Sequence, residues 1–320
     1  MIEIVSSRQM AVDEDLEVVK NRLVPEGISA RELESLPRIA VVSGIHGDEL
    51  EGQFTCFEVA RRVGEHPEYL TGIVDIYPAL NPLGVGAISR GIPQFDLDMN
   101  RIFPGKNSAS PYESMAADIV ADIAGATISL DIHASNIYLR ELPQIRLNEI
   151  SADTLMSWAL ESNVDYVWVH GNATVLKGTL AYSLNALGTP CLVVEMGVGM
   201  RLTGAYGEQL ADGIFSLMRK AGIWSGPVSE VRRPIVSADG EVAFVNADAA
   251  GVFMPSVEHN WRVNEGQVIG HILDPLTGTV LQELQSPASG LLFTLREYPI
   301  VYPGSLIARV LGTATHTEVA

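Results

Sequence analysis

The chain has 320 residues, of which 47% are hydrophobic and 19% charged, a composition that predicts a folded protein of about two domains. Its formal net charge of −18 argues against nucleic acid or an anionic membrane surface as a partner, because both would repel it. No run approaches the roughly 20 apolar residues that cross a bilayer, and the N-terminus does not resemble a signal peptide. Cys56 and Cys191 are too few for a disulfide framework, so we expect a cytoplasmic protein.

From about residue 38 to 222, short apolar runs alternate with segments of helical character, which predicts a largely parallel sheet covered by helices on both faces. The predicted strands are IAVVSG (39–44), GIVDIYP (72–78), ISLDI (128–132), YVWV (166–169) and CLVVE (191–195). The predicted helices include LEGQFTCFEVARRV, YESMAADIVADIA and SADTLMSWALES, the last with Ser151 as its N-cap.

The pattern changes after Trp224, so we predict a catalytic domain over residues 1–225 and a smaller β domain over residues 226–320. Within the second domain, residues 263–272 align with residues 301–310, and a glycine-led strand precedes each stretch. This duplication predicts a two-fold-symmetric β-sandwich that resembles the biotinyl/lipoyl-type barrel-sandwich hybrid. No lysine follows Lys220, so neither cofactor can be attached, and we expect the domain to be structural or to shape access to the catalytic domain.

The strongest chemical signal is the segment from Ser43 to Glu49, SGIHGDE, directly after a predicted strand. His46 and Glu49 lie three residues apart where the strand gives way to a helix, so both side chains can turn toward one point. Imidazole and carboxylate are ligands that catalytic zinc prefers. The alternative is that Asp48 and Glu49 only complement the dipole of the following helix.

Two further strand ends add compatible groups. His133 ends the 128–132 strand and would complete a set of two histidines and one carboxylate, with a fourth position for water. Asp131 could orient a ring nitrogen of that histidine. Glu195 ends an apolar strand, where a carboxylate is costly to bury unless it is paired or functional. Since ligands bind at the carboxyl ends of parallel strands, we expect His46, His133 and Glu195 in one crevice.

A predicted loop over residues 78–105 carries Asn81, Arg90, Asn100 and Arg101. Loops of this length inside compact domains are usually functional. The guanidinium fork of arginine suits a substrate carboxylate or the oxyanion that forms when water adds to an amide. Taken singly, each arginine is better explained as a surface ion pair.

The motifs GIHGDE, NPLG, DMNRIFPG, DIH and VVEMG, in this order, closely resemble the succinylglutamate desuccinylase/aspartoacylase family, relatives of the zinc carboxypeptidases. The resemblance implies a carboxypeptidase-like mixed α/β sheet flanked by helices and one zinc ion per chain, held by His46, Glu49 and His133. It further implies that Glu195 is the general base and acid, and that Arg90 polarises the scissile carbonyl. By the same resemblance, Asn100 and Arg101 hold the substrate's α-carboxylate.

We therefore predict a zinc-dependent amidohydrolase that deacylates a small N-acylated amino acid or related amine, with a zinc-bound water as the nucleophile. A zinc carboxypeptidase acting on peptides would use the same residues in a more open cleft. The alternative from another class is a catalytically silent binding protein, which would have no reason to keep all four of His46, Glu49, His133 and Glu195. Whether the chain forms a homo-oligomer, and which acyl group it removes, stay open. The residues that select the substrate are expected in a loop within 136–146.

Overall fold

The computed structural model of the protein describes residues 1–171, 174–238 and 241–312. Within these ranges the α-helices are α1 (Ala30–Leu33), α2 (Glu51–Glu65), α3 (Pro82–Ala87), α4 (Pro111–Ile123), α5 (Ala152–Ala159), α6 (Leu180–Ala186) and α7 (Gly204–Lys220). Short 3-10 helices span Pro67–Tyr69, Met99–Arg101 and Thr174–Gly178. The strands are β1 (Ile2–Gln9), β2 (Asp15–Leu23), β3 (Arg38–Ser43), β4 (Ile73–Tyr77), β5 (Ile128–Ala134), β6 (Leu139–Asn148), β7 (Tyr166–His170), β8 (Cys191–Gly197), β9 (Ile235–Ala238), β10 (Val242–Asn246), β11 (Gly251–Pro255), β12 (Arg262–Val263), β13 (Val268–Asp274), β14 (Thr279–Gln285), β15 (Gly290–Arg296), β16 (Ile300–Val301) and β17 (Leu306–Gly312).

The centre of the fold is a parallel block of strands in the order β4-β3-β5-β8. All five predicted strands are present, four of them in this block and the fifth as β7. The sheet as a whole is mixed, because β2 joins β4 and β6 joins β8 in antiparallel orientation. The expectation of a loop within residues 136–146 was wrong for most of that segment, since β6 begins at Leu139 and places it inside the sheet.

Helices cover both faces of the parallel block, as the sequence predicts. Residues of α2, α5 and α7 pack against one face, and residues of α4 and α6 pack against the other. Ser151 is the N-cap of α5 in position only, because its hydroxyl donates to the carbonyl of Asn148 rather than accepting from the helix. None of the helices in the described ranges combines the length and apolarity needed to cross a membrane.

The parallel arrangement brings the predicted functional residues to one edge of the sheet. β3 ends at Ser43, just before His46, while β5 and β8 pair so that His133 lies beside Glu195. Successive strands of a parallel block end on the same side, so the three strand ends open into a common crevice.

Beyond residue 225, β9, β10, β12, β15 and β17 continue the same sheet, while β14, β13, β11 and β16 form a separate four-stranded sheet in that order. β15 pairs with β6, and β9 pairs with β7. A buried cluster joins the two parts, in which Phe293 of β15 packs against Tyr166 and Trp168 of β7.

The duplicated stretches pair reciprocally. β11, which precedes the first stretch, pairs with β13 of its own stretch and with β16 of the other. β15, which precedes the second, pairs with β17 of its own stretch and with β12 of the first. Each half therefore lends one short strand to the other.

The Phe293 contact generates a stability prediction. Phe293→Ala should lower the free energy of unfolding by about 3–5 kcal/mol, because it removes a fully buried aromatic ring that joins β15 to β7. Phe57→Ala, at a ring that is 57% exposed, is the control and should change stability far less. Urea denaturation measures both, and equal small losses would contradict a tightly packed junction.

Candidate metal centre

The segment that carries His46 and Glu49 is shaped by its packing against the start of α3, residues Asn81–Gly84. The N–H groups of Leu80 and Asn81 donate to the carbonyls of Ser43 and Gly44, at 3.1 and 2.8 Å. Gly47 lies so close to Gly84 that a Cβ at position 47 would come within 1.9 Å of the Gly84 carbonyl carbon. Two of the sequence motifs thus contact each other directly, and glycine is needed where their backbones meet.

The carboxylate of Glu49 lies between the two histidines. Its Oε1 accepts from Nδ1 of His46 at 2.8 Å, and its Oε2 accepts from Nδ1 of His133 at 2.9 Å. The N–H of Ala134 also donates to Oε2, at 3.1 Å, and Nη1 of Arg90 donates to Oε1, at 3.0 Å. The carboxylate faces the crevice rather than the start of α2, which argues against a role confined to complementing the helix dipole.

The ionisation of this cluster follows from its contacts. Burial opposes ionisation of Glu49, but the neighbouring imidazoles hold the pKa of its carboxyl below the ordinary value. Burial likewise opposes protonation of His46 and His133, yet carboxylates around each ring raise both pKa values above the ordinary value, most strongly for His133. A metal binds the unprotonated nitrogen, so uptake of an ion here would release protons and should strengthen as the pH rises.

Two aspartates contact the outer sides of the histidine rings. Asp98 Oδ1 lies 3.1 Å from Nε2 of His46 and also accepts from the N–H of Asn100, at 2.9 Å. Asp131 lies on the same face of β5 as His133, with Oδ1 3.2 Å from Nε2 of that ring. The carboxylate of Asp131 is buried and neither oxygen has a hydrogen bond of good geometry among the described residues. Carboxylates in such positions fix the orientation of metal-binding imidazoles.

His46, Glu49 and His133 fit a metal ion by donor chemistry and by spacing. One ligand atom from each lies within 4.8 Å of the others, and all three side chains are buried. Ligand atoms of a tetrahedral zinc are roughly 3.3 Å apart at the usual bond lengths of about 2.0–2.2 Å. Small side-chain adjustments would therefore close this set around one ion.

Glu195 lies at the crevice beside His133 and contacts a buried ion-pair cluster. Arg146 Nη1 is 3.4 Å from Oε1 of Glu195, while Nη2 of Arg146 donates to Glu141 at 2.6 Å. Burial, helped by the nearby carboxylates, raises the pKa of Glu195 although Arg146 opposes the shift. A carboxyl with a raised pKa is suited to accept and return a proton.

The remaining predicted residues, Arg90, Asn100 and Arg101, also line the crevice. Arg90 is ion-paired with Glu49 and approaches Asp98 at 3.6 Å, while 43% of its side chain stays exposed. The amide of Asn100 accepts from the N–H of Leu180 at 3.0 Å, and its nitrogen lies 3.5 Å from Nε2 of His133. Arg101 is 44% exposed, and its nearest carboxylate, Asp98, is 4.0 Å away.

Three further residues of the site, Glu141, Trp168 and Arg309, were not predicted from the sequence. Arg309 of β17 donates to Glu141 at 2.5 Å, so this buried carboxylate is shared by two guanidinium groups, those of Arg309 and Arg146. Both guanidinium groups also lie against the ring of Trp168, at 5.6 and 5.7 Å. Glu141 lies in a strand that mixes charged and apolar residues, so no local pattern marked it as buried, and nothing local identified Arg309 as its partner.

Together these residues line one cleft of about 640 Å³. The cleft contains His46, Glu49, Arg90, Asn100, Arg101, Asp131, His133, Glu141, Arg146, Trp168, Glu195 and Arg309. Every residue that was predicted from the sequence to bind a metal or substrate, or to act in catalysis, is in this set. A residue from beyond position 225, Arg309, completes the lining.

Residues 35–221 match the succinylglutamate desuccinylase/aspartoacylase catalytic domain. The chain therefore belongs to this family, whose members are deacylases. No curated protein matches the chain significantly by sequence.

Solved structures share the fold across nearly the whole chain. A succinylglutamate desuccinylase/aspartoacylase from Rhodobacter sphaeroides has a TM-score of 0.77 at 22% identity, covering 96% of this chain and 92% of its own. The product-bound ectoine utilization protein EutE (DoeB) from Ruegeria pomeroyi has a TM-score of 0.77 at 19% identity, with the same coverage. A succinylglutamate desuccinylase from Silicibacter sp. TM1040 reaches a TM-score of 0.79 at 19% identity, again with 96% and 92% coverage. At these identities the likeness concerns the fold alone.

The geometry predicts which substitutions abolish metal binding. His46→Ala, Glu49→Ala and His133→Ala should each lose most of a single bound zinc, because each removes one of three converging candidate ligands. His66→Ala and Glu68→Ala, at exposed positions, are matched controls and should retain it. Metal analysis by mass spectrometry on protein dialysed against zinc measures the content, and full occupancy in a cleft variant would exclude that residue as a ligand.

Proposed function

We propose that the protein is a zinc-dependent hydrolase that cleaves the amide bond of a small N-acylated amino acid or related amine. The observation that carries this proposal is the convergence of His46, Glu49, His133 and Glu195 in one cleft. Family membership supports a deacylase, and the donor set of two imidazoles and one carboxylate supports zinc. One ion per chain would be held by His46, Glu49 and His133.

Each residue of the cleft would have a separate part in the hydrolysis. When bound, the zinc ion supplies Lewis acidity that lowers the pKa of water and polarises a carbonyl. Glu195 accepts a proton from the attacking water and returns it to the leaving amine, a role that suits a carboxyl with a raised pKa. Arg90, half-exposed beside Glu49, donates to the developing oxyanion. Asn100 and Arg101 bind the substrate's carboxylate and fix its orientation.

We also propose that residues 226–320 form a module of the barrel-sandwich hybrid type whose role is to complete the cleft of a carboxypeptidase-like catalytic domain, residues 1–225. Arg309, held by Glu141 and Trp168, supports this role. A guanidinium from this module at the cleft wall restricts access for long chains. It therefore favours a small acylated substrate over the peptide of a carboxypeptidase.

A substrate panel tests the proposed activity. Release of free amine from N-acetyl, N-succinyl and N-formyl amino acids should be measured before and after chelation, and again after zinc is restored. Zinc-dependent turnover of at least one compound is expected. Turnover confined to peptides would favour the carboxypeptidase, and a zinc-loaded protein inert toward both classes would favour a binding protein.

Two substitutions separate proton transfer from substrate binding. Glu195→Gln keeps the size of the side chain but cannot accept a proton, so kcat should fall by about 10²–10⁴ while the zinc content is kept. Arg101→Ala removes a contact made in both the ground and transition states, so KM should rise by roughly 10–100-fold with a smaller change in kcat. Steady-state kinetics on one N-acyl amino acid measures both.

The controls for this pair are Glu208→Gln and Arg31→Ala, at exposed positions outside the cleft; neither should change either constant. Loss of zinc from Glu195→Gln would make Glu195 a ligand instead. Near-normal turnover with zinc retained would move the proton acceptor to another carboxylate.

A further inference from the structure

A second cavity opens off the metal cleft. It has a volume of about 270 Å³ and lies between β6, α5, the 3-10 helix Thr174–Gly178, α6 and β8. Five residues line both spaces, namely Arg146, His170, Leu176, Thr179 and Val193. The two spaces are therefore neighbours with a common boundary.

Strand geometry places the second cavity close to the reacting atoms. Cys191, Val193 and Glu195 alternate along β8, so they share one face, which turns toward the two cavities. At about 3.3 Å per residue, Val193 lies roughly 7 Å along the strand from Glu195. Crossing that distance takes about five bonds of roughly 1.5 Å each, so a long side chain attached to the reacting part of a substrate is needed to reach Val193.

The wall of this cavity is joined to the residues proposed to bind the substrate carboxylate. The N–H of Leu180, in α6, donates to the amide oxygen of Asn100 at 3.0 Å, and the N–H of Phe103 donates to the carbonyl of Gly178 at 3.1 Å. Gly178 packs so closely that a Cβ there would come within 2.6 Å of the Arg101 carbonyl oxygen. When the carboxylate of the substrate binds to Arg101, the α-carbon and side chain of the substrate therefore lie beside this wall of the cavity.

The lining of the cavity is mixed, and its apolar part suits an apolar group; its polar side chains are those of Arg146, Asn148, Ser151, Thr154, His170, Thr179, Tyr182 and Asn185. Leu155, Ala181 and Cys191 are buried in it. Two of its polar side chains are already bonded locally: Asn185 bonds both backbone groups of Cys191, and Thr179 caps α6 by accepting from the N–H of Tyr182. At about 30 Å³ per water-sized group, a volume of about 270 Å³ can hold a leucyl or phenylalanyl side chain.

The charges of the cleft leave little attraction for a second carboxylate. Of the four arginines in its described lining, Arg90 pairs with Glu49, Arg309 pairs with Glu141, and Arg146 pairs with both Glu141 and Glu195. Arg101 alone among them has its nearest carboxylate as far as 4.0 Å away. The second cavity has Arg146 as its one arginine among the described residues, and that group is already engaged.

We infer that the substrate is an N-acyl amino acid with a single carboxylate, and that its apolar side chain occupies the cavity between α5, α6 and β8. This inference rests on the proposed deacylase function and names the class of amino acid on which it acts. Arg101 binds the one carboxylate, the acyl carbonyl faces Glu195, and the side chain passes Val193 into the cavity.

The first test compares N-acetyl derivatives of leucine, phenylalanine, glycine and aspartate, together with N-hexanoylglycine, on the zinc-loaded full chain. The values of kcat/KM for leucine and phenylalanine should exceed those for glycine and aspartate by at least about 10-fold, the effect expected of a filled apolar pocket. Equal or better turnover of glycine or aspartate overturns the inference and leaves the deacylase standing. Preference for N-hexanoylglycine over N-acetylleucine also overturns it, by assigning the cavity to the acyl group.

If no compound on the panel is hydrolysed, the binding of the free amino acids tests the inference instead. Calorimetric titration should then show leucine binding at least about 10-fold more tightly than glycine or aspartate. Equal affinities would overturn the inference, whereas selective binding without hydrolysis would count against the proposed reaction only.

A matched pair of variants tests whether the preference for an apolar side chain arises in this cavity. Val193→Phe adds bulk at the boundary of the two cavities, so it should reduce the leucine-to-glycine ratio of kcat/KM, or of affinity, by about 10-fold. Val19→Phe makes the same change at a partly exposed position of β2, outside both cavities, and should leave the ratio unchanged. An unchanged leucine-to-glycine ratio in a folded Val193→Phe protein overturns the placement of the side chain in this cavity. If that variant does not fold, the comparison of substrates on the unmodified chain decides the question.

Discussion

The structure depends on one buried carboxylate, that of Glu49, which holds two imidazoles at hydrogen-bonding distance, one from the segment after β3 and one from β5. Burying a carboxylate is costly unless its oxygens are fully paired. Here the partners are two histidines, one backbone N–H and Arg90. The close glycine packing around His46 and the parallel pairing of β3 with β5 both bring these partners together.

A second buried carboxylate, Glu141, plays a comparable part on the other side of the cleft. It joins Arg146 of the sheet to Arg309, which lies 163 positions further along the chain. The strand pairing of β15 with β6 makes this contact possible. Five of the C-terminal strands, β9, β10, β12, β15 and β17, are thus continuous with the sheet, and β17 contributes Arg309 to the cleft.

Sequence reasoning was strongest where the signal was local. Apolar runs predicted β3, β4, β5, β7 and β8, and the strand-end rule predicted that His46, His133 and Glu195 would share a crevice, as they do. It failed for β6, whose residues 139–148 mix charged and apolar groups because both ion pairs and core contacts use them. Arg309 could not be foreseen, since its role comes from long-range strand pairing that leaves no local pattern. The chemical roles of the cleft residues stay predictions.

The central claim is that His46, Glu49 and His133 hold one zinc ion beside Glu195. Crystals of the full chain grown with zinc, measured on both sides of the zinc absorption edge, test it directly. The account predicts one strong anomalous peak at roughly 2.0–2.2 Å from a ligand atom of each of the three residues, with the carboxylate of Glu195 near the ion but not bound to it. A peak coordinated elsewhere, or an ordered cleft that takes up no zinc, would contradict it.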